Sequence, residues 1–199
     1  MAAAGSGRRL VLALASLLSV VWPGAVLAVE VDRDRVWALL ARPGHVVLMR
    51  HADAPGTGDP AGFRIGDCTT QRSLGERGRD QYRRLGAEFR RRAVPVALVL
   101  TSQWCRARET AALMALAPIE DEPAALNSFF GRPGERDAAT AALRRRLATL
   151  PADAALVVMV THQVNITALT GVFPASGEMV VLKRDDRGGV VTVGRLPPP

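Results

Sequence analysis

The stretch Val46-Val47-Leu48-Met49-Arg50-His51-Ala52 decides how the rest of the chain is read. Four consecutive apolar residues leave no polar face for water, and a run of that kind fits a parallel strand buried on both sides. It then breaks abruptly into Arg50 and His51, two ionisable groups at the end of an apolar strand. In open α/β sheets ligands bind outside the carboxyl ends of the strands. The same seven residues therefore propose both a fold class and the edge at which its chemistry would lie.

Working outward, Val31 to Ala41 has the pattern of a short helix, interrupted by Gly44 before the strand. Downstream, Ala52 to Arg72 is rich in Gly, Pro, Asp and Thr, a loop of a length that compact domains seldom keep without a function. Leu74, Gly78, Tyr82, Leu85 and Phe89 fall on one stripe and predict an amphipathic helix over Gly75 to Arg92. Val96 to Leu100 reads as a second strand, and Ser102 as the cap of a helix through Trp104 to Ala117. Pro118 to Gly134 reads as loop, and Ala139, Leu143, Leu147 and Leu150 mark another helix. Leu156 to Val160 is a third buried strand, followed by a short helix over Gln163 to Thr170. Glu178 to Lys183 and Gly189 to Arg195 predict a closing hairpin around Asp185 to Gly188, and Pro197 to Pro199 a frayed tail. No repeat or linker divides the chain. Alternating helices and strands predict one α/β domain, a three-layer sandwich with a mostly parallel central sheet and helices on both faces.

Composition agrees. Of 199 residues, 48% are hydrophobic and 23% charged, which excludes a disordered chain, a collagen-like chain and a polytopic membrane protein. Residues 1–28 carry Arg8 and Arg9, the apolar run Leu10 to Val21, and a small-residue cleavage site at Val26-Leu27-Ala28. That order predicts a signal peptide, with the domain in residues 29–199, exported to the periplasm and free of the membrane after cleavage. Cleavage would leave 24 basic against 19 acidic residues, a net charge of +5 that suits an anionic ligand. The aromatics within Arg77 to Arg92, Tyr82 and Phe89, belong to the apolar stripe and do not alternate with the arginines, so the arginines read as a solvated helix face and no nucleic-acid partner is expected. Cys68 and Cys105 are the only cysteines. An oxidising compartment favours a bridge between them over two separately buried thiols.

Three strand ends carry the polar residues that matter: Arg50-His51, Thr101-Ser102 with Arg106 one turn later, and Thr161-His162. Two imidazoles and two guanidiniums cannot satisfy one another, but a bound dianion satisfies all four, because arginine forks match phosphate oxygens. Helix N-termini near Ser102 and Gln163 add donors at the same edge. A zinc site of His51, His162 and Asp53 is the weaker reading, since the arginines beside it would repel the cation. His45 reads as structural and Ser102 as a cap. Asn165-Ile166-Thr167 fits a glycosylation sequon, but its place directly behind His162 argues against use.

Leu48 to Ala52 resembles the LxRHG signature of the histidine phosphatase (phosphoglycerate mutase-like) superfamily. The resemblance continues in the family's order through Leu74, Gly78, the SQWCRARETA block of Ser102 to Ala111, and Thr161-His162. It implies that His51 is the nucleophile that accepts a phosphoryl group. Arg50, Arg106 and His162 would then hold the phosphate oxygens, and water would hydrolyse the phosphohistidine. A neutral imidazole is a competent nucleophile, and such transfer needs mainly positioning and electrostatics. No metal or other cofactor is implied; the expected partner is a small phosphorylated substrate, a cell-envelope sugar phosphate by compartment and analogy. One departure stands out. Where many relatives place a glutamate that protonates the leaving oxygen, the LNSFFG segment puts Asn127, which can bind phosphate but cannot serve as the acid. Asp53 is the nearest acidic substitute, with Glu109 and Glu122 behind it. Loss of the acid would leave a catalytically silent phospho-ligand binder as the alternative. A Cys68–Cys105 bridge would pin the long loop over the phosphate site.

Overall fold

The computed structural model describes Met1 and residues 33–151, 153–184 and 189–198. Beyond Met1, the expected signal peptide lies outside the described residues, as do the hairpin turn Asp185 to Gly188 and Pro199. The elements in chain order are α1 (residues 33–40), β1 (His45–Arg50), α2 (Glu76–Arg91), β2 (Val96–Thr101), α3 (Cys105–Met114), β3 (Ile119–Asp121), α4 (Pro123–Leu126), α5 (Arg136–Ala148), β4 (Leu156–Thr161), α6 (Gln163–Thr170), β5 (Met179–Arg184) and β6 (Val190–Leu196).

The strands form one sheet in the order β3-β2-β4-β1-β5-β6. The first four are mutually parallel; β5 runs antiparallel to β1, and β6 antiparallel to β5. The two central strands, β4 and β1, are apolar over Leu156 to Val160 and Val46 to Met49 because both faces are covered there. On one face Val47, Met49, Val99, Val158 and Val181 pack against Trp37 of α1, Phe89 of α2 and Met114 of α3. On the other, Val46, Leu48, Leu100, Met159 and Val180 pack against Leu126, Leu143 and Ile166 of α4, α5 and α6. Side chains alternate between the faces with the period of two that an extended backbone imposes. The three layers expected from the sequence are these.

The segment Pro118 to Gly134 departs from its expected loop: it holds the edge strand β3, the helix α4 and a 3-10 turn at Pro133–Glu135. All three residues of β3 are exposed, so no apolar alternation announces the strand; pairing with Val99 to Thr101 orders it. Helix α3 also begins later than expected, at Cys105, with Trp104 in the cap position and no side-chain cap. The Ser102 hydroxyl accepts the Trp104 N–H at 3.2 Å, but Ser102 lies two residues ahead of the cap position. Asn165 is buried and donates to the carbonyls of Ala125 and Asn127, so its sequon is out of reach within the folded domain. No helix among the described residues is long and apolar enough to cross a membrane.

Gly78 fixes the long loop to the fold. A Cβ there would meet the Asp53 carbonyl oxygen at 2.5 Å, and the nearby Gly75 N–H donates to that oxygen at 3.1 Å. Helix α2 can therefore lie directly on the chain leaving β1.

Candidate active site

Strand order creates the site. Because β4 lies between β1 and β2, the ends of all three come together. Arg50 is opposite Thr161 and Thr101 is opposite Val160. The His51 N–H continues the ladder to the Thr161 carbonyl at 2.9 Å, and the Ser102 N–H to that of Val160 at 3.0 Å. The rings of His51 and His162 stand 5.3 Å apart, edge to face. Together they face a cavity of about 330 Å³ whose walls also carry Arg50, Arg72, Arg106 and Arg132.

His51 is buried, and its hydrogen bonds settle its tautomer. Nδ1 lies 2.7 Å from the Ala52 carbonyl oxygen, which can only accept, so Nδ1 carries the proton. Nε2 then holds a lone pair, toward which Arg106 Nε–H donates at 3.2 Å. Burial, and after it the charges of Arg106, Arg72 and Arg50, push the imidazole pKa down to about 3. The ring is neutral, its free nitrogen set among cations. His162, also buried, is held well below the ordinary value by burial, by His51 and by Arg106. Its Nε2 lies 2.9 Å from Ser102 Oγ, whose proton goes to Asn127 Oδ1 at 3.2 Å. The chain thus runs from His162 Nε2–H to Ser102 to Asn127.

Arg106 is the most elaborately held cation. Its Nη1 and Nη2 fork onto Asp59 Oδ1 and Oδ2 at 2.7 and 3.1 Å. The two side chains are only 4% and 7% exposed. Asp59 also accepts Trp104 Nε1–H at 2.9 Å and the Arg72 N–H at 3.0 Å. Burial alone would raise the pKa of this carboxyl, but the hydrogen bonds from Arg106, Arg72 and Trp104 outweigh it and hold the group below the usual carboxylate range. Arg72 is fastened to the carbonyls of Gly58 and Ala54. Arg50 donates Nη1 to Pro174 O at 2.9 Å, while its buried Nε has no hydrogen-bond partner. Arg132 lies over the Trp104 ring, 5.8 Å from its centroid, at the rim with Phe130.

Cys68 and Cys105 are joined by a disulfide, Cα atoms 5.6 Å apart. Gln71 reinforces it, accepting the Cys105 N–H through Oε1 at 3.0 Å and donating Nε2 to Arg64 O at 2.8 Å. The long loop is thereby tied to the helix turn that carries Arg106.

Of the residues singled out from the sequence, Arg50, His51, Arg106 and His162 line one cavity. Asp53 and Asn127 do not. The amide of Asn127, expected on the phosphate, is committed to Ser102 and to Gln103, whose N–H it accepts at 2.9 Å. Asp53, expected as the substitute acid, is not part of that lining, and its charge favours the cationic forms of Arg50 and Arg72. Asp59, Arg72, Trp104 and Arg132 were not singled out; the length and composition of the Ala52 to Arg72 loop were the one signal pointing toward the first two.

The family model described as histidine phosphatase superfamily (branch 1) matches residues 46–142. No curated protein sequence matches the chain. Among solved structures, the SixA protein of Nakamurella multipartitia is similar at 22% identity and a TM-score of 0.55, over 77% of this chain and 95% of its own. The protein histidine phosphatase SixA complexed with tungstate is similar at 19% identity and 0.56, over 77% and 97%. A mycobacterial glucosyl-3-phosphoglycerate phosphatase matches at 15% and 0.52, over 77% and 98%. At these identities the likeness to the solved structures is one of fold.

Proposed function

We propose that the chain, which belongs to the histidine phosphatase superfamily, is a phosphomonoesterase that works through phospho-His51. The observation that carries this reading is the neutral His51 ring, its Nε2 lone pair facing a cavity walled by four arginines. Arg50, Arg72 and Arg106 take the oxygens of a phosphoryl group. The His51 lone pair then attacks phosphorus, the bond to the leaving oxygen breaks, and the Nδ1–H bond to Ala52 holds the ring in the tautomer that transfer requires. The negative charge that develops meets donors already in place, which is where most of the rate comes from in such sites. Attack of water on phospho-His51 releases phosphate and restores the ring. No metal takes part in these steps.

The substrate we propose is small, with a cell-envelope sugar phosphate as its class. Phe63, Trp104 and Phe130 give the cavity apolar walls suited to the face of a sugar ring. Export of residues 29–199 by the N-terminal signal remains part of the proposal, and the disulfide supports an oxidising compartment. The test is hydrolysis of para-nitrophenyl phosphate by residues 29–199 in EDTA. We expect turnover that persists in the chelator and is lost in His51→Ala. A folded wild-type protein that binds phosphate without turnover would replace this reading with that of a silent phospho-ligand binder.

A further inference from the structure

The reaction proposed above needs a proton for any leaving group poorer than nitrophenolate, and this inference rests on that reading. Among the described residues that line the cavity, one carboxylate is present, that of Asp59. Neither Asp53 nor Asn127 reaches the cavity. We propose that Asp59 is the general acid of phosphoryl transfer and the general base of phosphohistidine hydrolysis, released for both roles by the substrate's own phosphoryl group.

Competition for one guanidinium underlies the proposal. Asp59 occupies both terminal nitrogens of Arg106, while Nε of the same guanidinium points at the attacking nitrogen of His51. A phosphoryl group seated against His51 Nε2 therefore lies beside Arg106 and seeks the donors that Asp59 holds. A phosphate fits the fork as well as a carboxylate does, and carries more charge. As Asp59 yields those donors it loses its ion pair and gains a dianion as neighbour; both changes favour the protonated carboxyl. Gly58, which precedes it, sits at φ +69°, a left-handed conformation that glycine adopts without strain. The Trp104 and Arg72 donors keep the carboxyl at the cavity. The charged and titratable groups around it are Arg106 on α3 and Arg72 on its own loop, with His51, Arg50 and His162 beyond the guanidinium at the ends of β1 and β4.

The proton arrives on the substrate, whose second ionisation lies near pH 6, or from solvent. In the first step the His51 Nε2 lone pair forms the bond to phosphorus. The bond from phosphorus to the ester oxygen breaks, its electron pair goes to that oxygen, and the Asp59 proton follows, giving an alcohol, phospho-His51 and the Asp59 carboxylate. In the second, that carboxylate takes a proton from water as its oxygen attacks phosphorus. The nitrogen–phosphorus bond breaks, its pair returns to Nε2, and phosphate leaves.

Leaving-group dependence separates an acid from a residue that merely holds Arg106. In Asp59→Asn, kcat/KM for phenyl phosphate is expected to fall by about 10²–10⁴-fold, the range for a lost general acid, and by much less for para-nitrophenyl phosphate, whose leaving group needs no proton. An equal loss on both esters, with vanadate inhibition weakened in parallel, would overturn the proposal. A measurement on the wild type makes it independent of how the variant folds: kcat/KM across aryl phosphates should depend only weakly on leaving-group basicity, and a steep dependence would overturn it. Turnover that survived in His51→Ala would instead strike the phosphohistidine reading itself, whatever Asp59 does.

Discussion

A single carbonyl, that of Ala52, accepts the Nδ1–H of His51 and so leaves Nε2 with the lone pair that the proposed transfer uses. The same burial that protects the lone pair has a cost in acid. The folded protein keeps His51 neutral down to about pH 3, against an ordinary value of 6.5, and His162 is depressed in the same direction. Between those limits the unfolded chain binds protons that the folded protein refuses, so this contribution to stability is complete above the ordinary value and is lost as the pH falls. The slope is up to about 1.4 kcal/mol per pH unit for each imidazole. Melting temperature should therefore drop between about pH 7 and pH 5, and drop less in His51→Ala; equal slopes in the two proteins would contradict this account. At this scale Arg50, His51, Arg106 and His162 were legible because strand ends announce themselves where apolar runs stop. Asp59 and Arg72 were not, since a loop has no period that says which side chains turn inward. Asn127 was placed by the family resemblance, which locates a backbone and says nothing of where an amide spends its hydrogen bonds.

Among the elements, the loop from Ala52 to Arg72 carries the most. It contributes Asp59 and Arg72 to the cavity and is held at three places: by Gly75 and Gly78 against Asp53, by Gln71 on Cys105, and by the disulfide. Cys68→Ser opens a bridge spanning 37 residues. It should cost about 4 kcal/mol by the chain-entropy model, and it should raise KM for para-nitrophenyl phosphate because Asp59 and Arg72 lose their fixed footing. A destabilised protein with unchanged KM would mean that Gln71 and Gly78 suffice to place the loop. The loop's existence was visible in its composition. Strand β3 was invisible for a different reason: Ile119, Glu120 and Asp121 are exposed at the sheet edge, where pairing with β2 makes the strand and no buried face marks the sequence.

For the whole molecule, one-way strands and two covered faces followed from the apolar runs, and the number of layers with them. Strand order did not, because the insertion of β4 between β1 and β2 is a long-range pairing with no local trace. Yet that insertion puts His51 beside His162 and Arg106 between His51 and Asp59. Every part of the proposed chemistry passes through one covalent species, so the most direct measurement is to trap it. Mixing the protein with para-nitrophenyl phosphate and quenching in alkali, where phosphohistidine survives, should yield a phosphorylated peptide modified at His51 that forms and decays at rates consistent with turnover. A protein that turns over substrate while His51 stays unmodified, with phosphate found on another residue or on none, would contradict the account.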